Sequence, residues 1–165
     1  MDNVSTTYVY DATDIIMGRM ASKIANQLLK AHQSGKMDKV IIINVENAII
    51  SGGKERIVND FKTRYALNHP RKGPFYPRMP DRIFKRSIRG MLPYQKKASG
   101  RSALKSIRCE IGCPQHLKGE LPENHISGDV SNIKKELPER FMRLGDISIA
   151  IGAPGHRWKK AKGEI

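Results

Sequence analysis

The chain has 165 residues, enough to enclose one hydrophobic core but short for two, and it sets 30 Lys and Arg against 16 Asp and Glu, a net of +14. That excess exceeds what solubility asks for and points to a polyanionic partner. With two cysteines and no apolar run near the ~20 residues of a membrane span, a disulfide scaffold, a secreted protein and a membrane protein are all disfavoured, and a reduced, cytoplasmic setting is expected.

Tyr8-Val9-Tyr10 is a short β-prone segment, and Asp11, Thr13 and Asp14 read as turn and helix-start residues. In the helix that follows, Met17, Met20, Ala21, Ile24, Ala25, Leu28 and Leu29 form one buried stripe, and Gly35 is its stop. Val40 to Val45 reads as a strand apolar on both faces, as in a parallel sheet lying between helices. After Ile49-Ile50, the Ser51-Gly52-Gly53 turn opens a second helix in which Ile57, Val58, Phe61 and Tyr65 repeat at helical spacing. Pro70, Pro74, Pro77 and Pro80 are spaced too closely for a helix or interior strand, so an extended surface loop is expected from Asn68.

Asp81 is placed to cap a third helix ending near Pro93, with Ile83, Phe84, Ile88, Met91 and Leu92 on one side and Arg82, Lys85, Arg86 and Arg89 on the other. A second basic loop carries Lys96, Lys97 and Arg101. Ile107, Cys109 and Ile111 then alternate with Arg108 and Glu110 as in a strand, and Phe141, Leu144, Ile147, Ile149 and Ile151 set out a short docked element. The alternation predicts an α/β fold. One domain over residues 1–165 is expected, with 62–105 as a basic helix-and-loop segment inside it and 119–165 as a C-terminal extension.

Charge is concentrated rather than spread. Lys62 to Lys105 holds 13 Lys or Arg and one acid, Asp81, a net of +12 out of +14. A solvated helical face mixes both signs, so this stretch reads as a nucleic-acid surface. Its candidate contacts are Lys62, Arg64, Arg71, Lys72, Arg78, Arg82, Lys85, Arg86, Arg89, Lys96, Lys97 and Arg101, with Arg19 and Lys23 added from the first helix and Lys54 from the second. Tyr65, Phe75, Tyr76 and Tyr94 interleave with these cations, a composition suited to stacking on unpaired bases; Phe75 and Tyr76 serve equally well to pin the proline-rich loop. With no zinc-finger spacing, basic zipper or helix-turn-helix pair, RNA recognised by shape and backbone is preferred to DNA. Basic loops poor in apolar residues are expected to order against that partner.

Catalysis finds little support. Ser51-Gly52-Gly53-Lys54 lies between a strand and a helix, but a phosphate-binding loop of the nucleotidase kind needs a longer glycine spacing and a hydroxyl where Glu55 stands. An RNA phosphate at that helix start and a simple tight turn both fit it. Cys109, Cys113 and His116 lack a fourth zinc ligand, and Cys109 sits at an inward strand position as a small apolar residue. No cofactor, metal or small-molecule substrate is expected.

Gly73-Pro74-Phe75-Tyr76-Pro77-Arg78, with Arg82-Ile83-Phe84 and Ile88-Arg89-Gly90-Met91-Leu92-Pro93, resembles the large-subunit ribosomal protein L13 family in its archaeal and eukaryotic form. Asp11-Ala12-Thr13 with Gly18-Arg19-Met20-Ala21-Ser22 is similar to the family's first helix, and Ile43-Asn44-Val45-Glu46-Asn47-Ala48 with Ser51-Gly52 to its second-strand segment. The likeness covers about residues 8 to 118. Arg143-Leu144-Gly145-Asp146-Ile147-Ser148 is similar to the shorter archaeal members, whereas Gly119 to Lys135 match nothing in the family. The resemblance implies a parallel four-stranded sheet between helices in three α/β/α layers, and a non-catalytic structural role on large-subunit rRNA beside neighbouring ribosomal proteins. A free RNA-binding regulator or RNA-processing accessory would carry the same basic segment; the resemblance favours the ribosome.

Overall fold

In a computed structural model that describes residues 6–119 and 121–159, the chain runs β1 (Thr7–Asp11), α1 (Met17–Gln33), β2 (Lys39–Ile43), β3 (Ile49–Ser51), α2 (Lys54–Ala66), α3 (Pro80–Met91), α4 (Ala98–Lys105), β4 (Ile107–Cys109), β5 (His125–Ser127), β6 (Phe141–Arg143), α5 (Leu144–Ala150) and α6 (His156–Lys159). One sheet has the order β4-β2-β1-β5 with every pairing parallel, and β3 pairs antiparallel with β6 in a separate ribbon. Helices flank the four-stranded sheet in the expected three-layer α/β/α arrangement. Among the described residues no helix is long and apolar enough to cross a membrane.

The core follows from the periodicities. Met20, Ile24 and Leu28, on one stripe of α1, share a single buried cluster with Val40 and Ile42 of β2, Phe84 and Ile88 of α3, Ile107 of β4, and Leu144 and Ile147 of α5. Each such side chain contributes about 1.5–3 kcal/mol relative to leaving it in water. The docked element expected near residue 141 is present: the backbone amide of Leu144 donates to Ala48 O at 2.8 Å, and the buried Trp158 closes over Gly145. A Cβ at Gly145 would stand 3.2 Å from both the Trp158 Nε1 and the Glu46 carbonyl oxygen.

Element ends depart from expectation for local reasons. β2 stops at Ile43, not Val45, because Asn44 turns into the left-handed region (φ 54) and its side-chain amide donates to Asp11 Oδ1 at 3.1 Å. Asp11, Thr13 and Asp14 build a turn ahead of the helix instead of capping it: Asp11 Oδ1 accepts from Thr13 N and Oγ1 at 2.9 and 2.7 Å, Asp14 has φ 57, and α1 begins at Met17 with no side-chain cap. Asp81 is not the cap of α3. Pro80, whose fixed φ and missing N–H suit a first helical position, starts that helix, and Asp81 lies inside its first turn with Oδ1 buried and unpartnered.

The second basic loop runs into α4, so Arg101 is helical while Lys96 and Lys97 precede the helix. Gly100 hides this helix from a propensity reading, yet it is required there: a Cβ would come within 2.6 Å of the Pro93 backbone. The fourth strand, β5, falls within residues 119–135, where no element was expected.

Candidate nucleic-acid interface

α3 supplies the centre of the basic surface because twelve residues carry two periodicities at once. Ile83, Phe84 and Ile88 are buried. Arg82, Lys85, Arg86 and Arg89, at i, i+3, i+4 and i+7, line one groove of about 300 Å³ together with Pro77 and Leu104. Within it the four cations differ. Arg82 is exposed. Lys85 is half-buried, and its ammonium donates to the Ile107 carbonyl at 2.7 Å, which ties α3 to β4. Arg86 and Arg89 lie over aromatic rings, 3.9 Å from the centroid of Tyr76 and 4.7 Å from that of Tyr94.

Ring-backed arginines recur along the segment. Arg78 is stacked 4.1 Å over Tyr65 and Arg64 stands 5.7 Å over Phe61. Each pair is worth about 0.5–1 kcal/mol at an exposed site, and it holds a guanidinium in place before any partner arrives. Tyr76 is half-buried beneath Arg86, a contact that ties the proline-rich loop to α3, while Phe75 is 63% exposed.

The proline-rich loop has internal order at its tip. His69 and Gly73 exchange backbone hydrogen bonds of 3.3 and 2.9 Å, and His69 Nδ1 accepts from the amides of Arg71 and Lys72, both at 3.3 Å. Arg71 and Lys72 are thus presented outward at a turn. Gly73 has φ 74, and a Cβ there would lie 3.0 Å from the Phe75 amide nitrogen, so glycine closes this turn without strain. Lys62, Lys96, Lys97 and Arg101 are exposed, the last with a guanidinium 3.5 Å from the Tyr94 carbonyl oxygen.

Of the candidates outside residues 62–105, Arg19 is exposed in the first turn of α1 and Lys54 is exposed at the first position of α2. Lys23 has internal partners: it donates to the Asp129 carbonyl oxygen and lies 3.8 Å from that residue's carboxylate. Hydrogen bonds from Ser131, reinforced by Lys23, hold Asp129 below the usual carboxylate range.

Two basic features escaped the sequence reading. Lys39, Lys105, Arg108 and His125 line a cleft of about 540 Å³ where the four parallel strands begin; they come from four separate elements, so no local pattern joins them. Arg143 bridges Asp14 at 2.9 Å and reaches the Asn47 side chain at 3.5 Å, locking the β3–β6 ribbon to the turn before α1. Burial pushes the Cys109 thiol up to about 12 even though Lys85 nearby opposes the shift, so it stands as the neutral thiol at neutral pH. Among the described residues, no group of three or more His, Cys, Asp or Glu side chains is placed to hold a metal ion.

A three-layer α/β frame with a polycationic face fits the nucleic-acid-binding class of protein. The family is more specific: the model for ribosomal protein L13 matches residues 5–116, and the chain belongs to that family, in its archaeal form. The family is a structural, non-enzymatic component of the ribosome. The large ribosomal subunit protein uL13 of Haloarcula marismortui is 41% identical over 145 residues, covering 88% of this chain and 90% of its own. Those of Archaeoglobus fulgidus and Methanopyrus kandleri are 35% and 37% identical, covering 89% and 87% of this chain and 88% and 86% of theirs.

Proposed function

We propose that the protein is a non-catalytic constituent of the large ribosomal subunit in the cytoplasm, where it binds and stabilises large-subunit rRNA during assembly and lies beside other large-subunit proteins. The observation that carries this reading is the α3 groove, in which Arg82, Arg86 and Arg89 share one face while the opposite face is buried. Arg64, Arg71, Lys72, Arg78, Lys96, Lys97 and Arg101, all exposed, add further cations from the same segment. Membership of the L13 family and the names of the archaeal relatives support the ribosomal setting. The chain acts as one domain, with residues 119–165 as an extension that supplies an edge strand and a docked ribbon.

Two measurements test this. The native protein should sediment with large subunits after a moderate salt wash, and recovery wholly in the free fraction defeats the ribosomal assignment. Affinity for a large-subunit rRNA fragment should fall steeply with salt, with log affinity against log salt changing by about 0.7–0.9 per phosphate contact.

A further inference from the structure

We propose that the cavity enclosed by α2, the Tyr76–Pro77 segment and α3 receives one unpaired nucleobase of the bound RNA, an inference that rests on the RNA-binding reading above. The cavity measures about 220 Å³. That is below the ~300–1,000 Å³ typical of sites for drug-sized ligands and suits a single flat ring system. Its walls include the rings of Tyr65 and Tyr76 and the guanidinium-bearing Arg86, and Ile151 adds apolar surface. Unpaired bases are held on aromatic and guanidinium planes of this kind, and the Ser87 hydroxyl at the same cavity is both donor and acceptor for a base edge.

Charge selects the occupant. Arg64 and Arg86 line the cavity and Arg78 covers Tyr65, so a nucleotide arriving with its own phosphate is matched to the surroundings. An apolar side chain from a neighbouring protein brings no such counter-charge. The cavity differs from the α3 groove in its lining: four cations edge the groove, whereas the cavity adds the rings of Tyr65 and Tyr76 and the apolar Ile83 and Ile151, against which a base can rest.

Gly90 provides the test, since it is an exposed position of α3 that lines the cavity, and a Cβ added there meets nothing within 4 Å. Gly90→Leu therefore sets a branched side chain beside the cavity from a position where its Cβ is unobstructed, and Ser87→Leu narrows the cavity from a second lining position. Binding of the full chain to a decamer of adenylate and to an abasic ribose-phosphate decamer is measured by fluorescence anisotropy across a salt series, with circular dichroism melts of each variant. The parent should prefer the adenylate decamer roughly tenfold, the scale of one stacked base. Both variants should melt as folded proteins, keep the parent's salt slope and lose the preference. Equal binding of the two decamers by the parent overturns the proposal and leaves a neighbouring protein's side chain as the occupant. A preference that survives in both folded variants also overturns it, because the base is then read elsewhere. A flat salt response to both decamers sinks the RNA-binding reading itself, and this proposal with it.

Discussion

Reversing three arginines on α3 separates binding from folding. Arg82→Glu, Arg86→Glu and Arg89→Glu together leave Ile83, Phe84 and Ile88 buried as before, but they remove the two guanidinium–ring pairs over Tyr76 and Tyr94. At about 0.5–1 kcal/mol per pair, the loss is about 1–2 kcal/mol out of a typical ~5–15. For a chain of this length, about 2–4 °C per kcal/mol puts the fall in Tm at roughly 2–8 °C, so the variant stays folded. A charge-assisted contact is worth about 1.5–3 kcal/mol, about tenfold or more in affinity, so three of them amount to about a thousandfold if they add. The salt slope should drop by about 2–3 as three phosphate contacts disappear. Ile88→Asp is the complement: Ile88 is 0% exposed, and a carboxylate there is left without partners inside the core, costing several kcal/mol and with it the cooperative melt. Melting by circular dichroism and RNA affinity across a salt series read both variants. A folded Glu variant that binds rRNA with the parent's affinity and slope would falsify the assignment of this helix to RNA.

Lys85→Met should lower Tm by a few degrees, because the Ile107 carbonyl loses its 2.7 Å donor at a cost of about 1–3 kcal/mol, while the salt slope holds; a slope reduced by about 1 would instead make Lys85 a phosphate contact. Gly73→Ala should cost about 1–2 kcal/mol through the strained φ of 74 and speed amide exchange at His69 and Gly73, and unchanged exchange at both would refute the reading of the loop tip as an ordered turn. The Cys109 thiol has its folded pKa raised to about 12, above the ordinary value of 9.0. Its neutral form therefore favours the fold below pH 9, and that stability is lost as pH rises through the window from about 9 to about 12. Cys109→Ala should flatten the alkaline decline of Tm in that window, and a parallel decline in parent and variant would show that other groups set it.

What the sequence exposes depends on whether a residue's partner is near in the chain. α1 and α3 were legible because a helix that buries one face repeats its apolar residues every three or four positions, and the cationic side of α3 is the remainder of the same pattern. α4 was not, because Gly100 is there to admit the Pro93 backbone, a tertiary need that lowers local helix propensity. β5 was not, because an edge strand paired on one side, with Ile126 and Ser127 exposed, needs no alternation of apolar residues. Lys39, Lys105, Arg108 and His125 were invisible as a group for a third reason: parallel strands bring their starts together from distant parts of the chain.

The arginines of α2, α3 and the loop between them could each be counted from sequence, but their pairing with Phe61, Tyr65, Tyr76 and Tyr94 could not. That pairing bears directly on binding. A free arginine loses about 0.5–1.5 kcal/mol of side-chain freedom when it is fixed at an interface. A guanidinium already resting on a ring has met part of that cost during folding, so more of its attraction to phosphate remains as affinity. Arg82, which has no ring beneath it among the described residues, serves as the internal comparison on the same helix. The basic face is therefore a partly preset surface, and two of its ring pairs, Arg78 over Tyr65 and Arg86 over Tyr76, also fasten the proline-rich loop to α2 and α3.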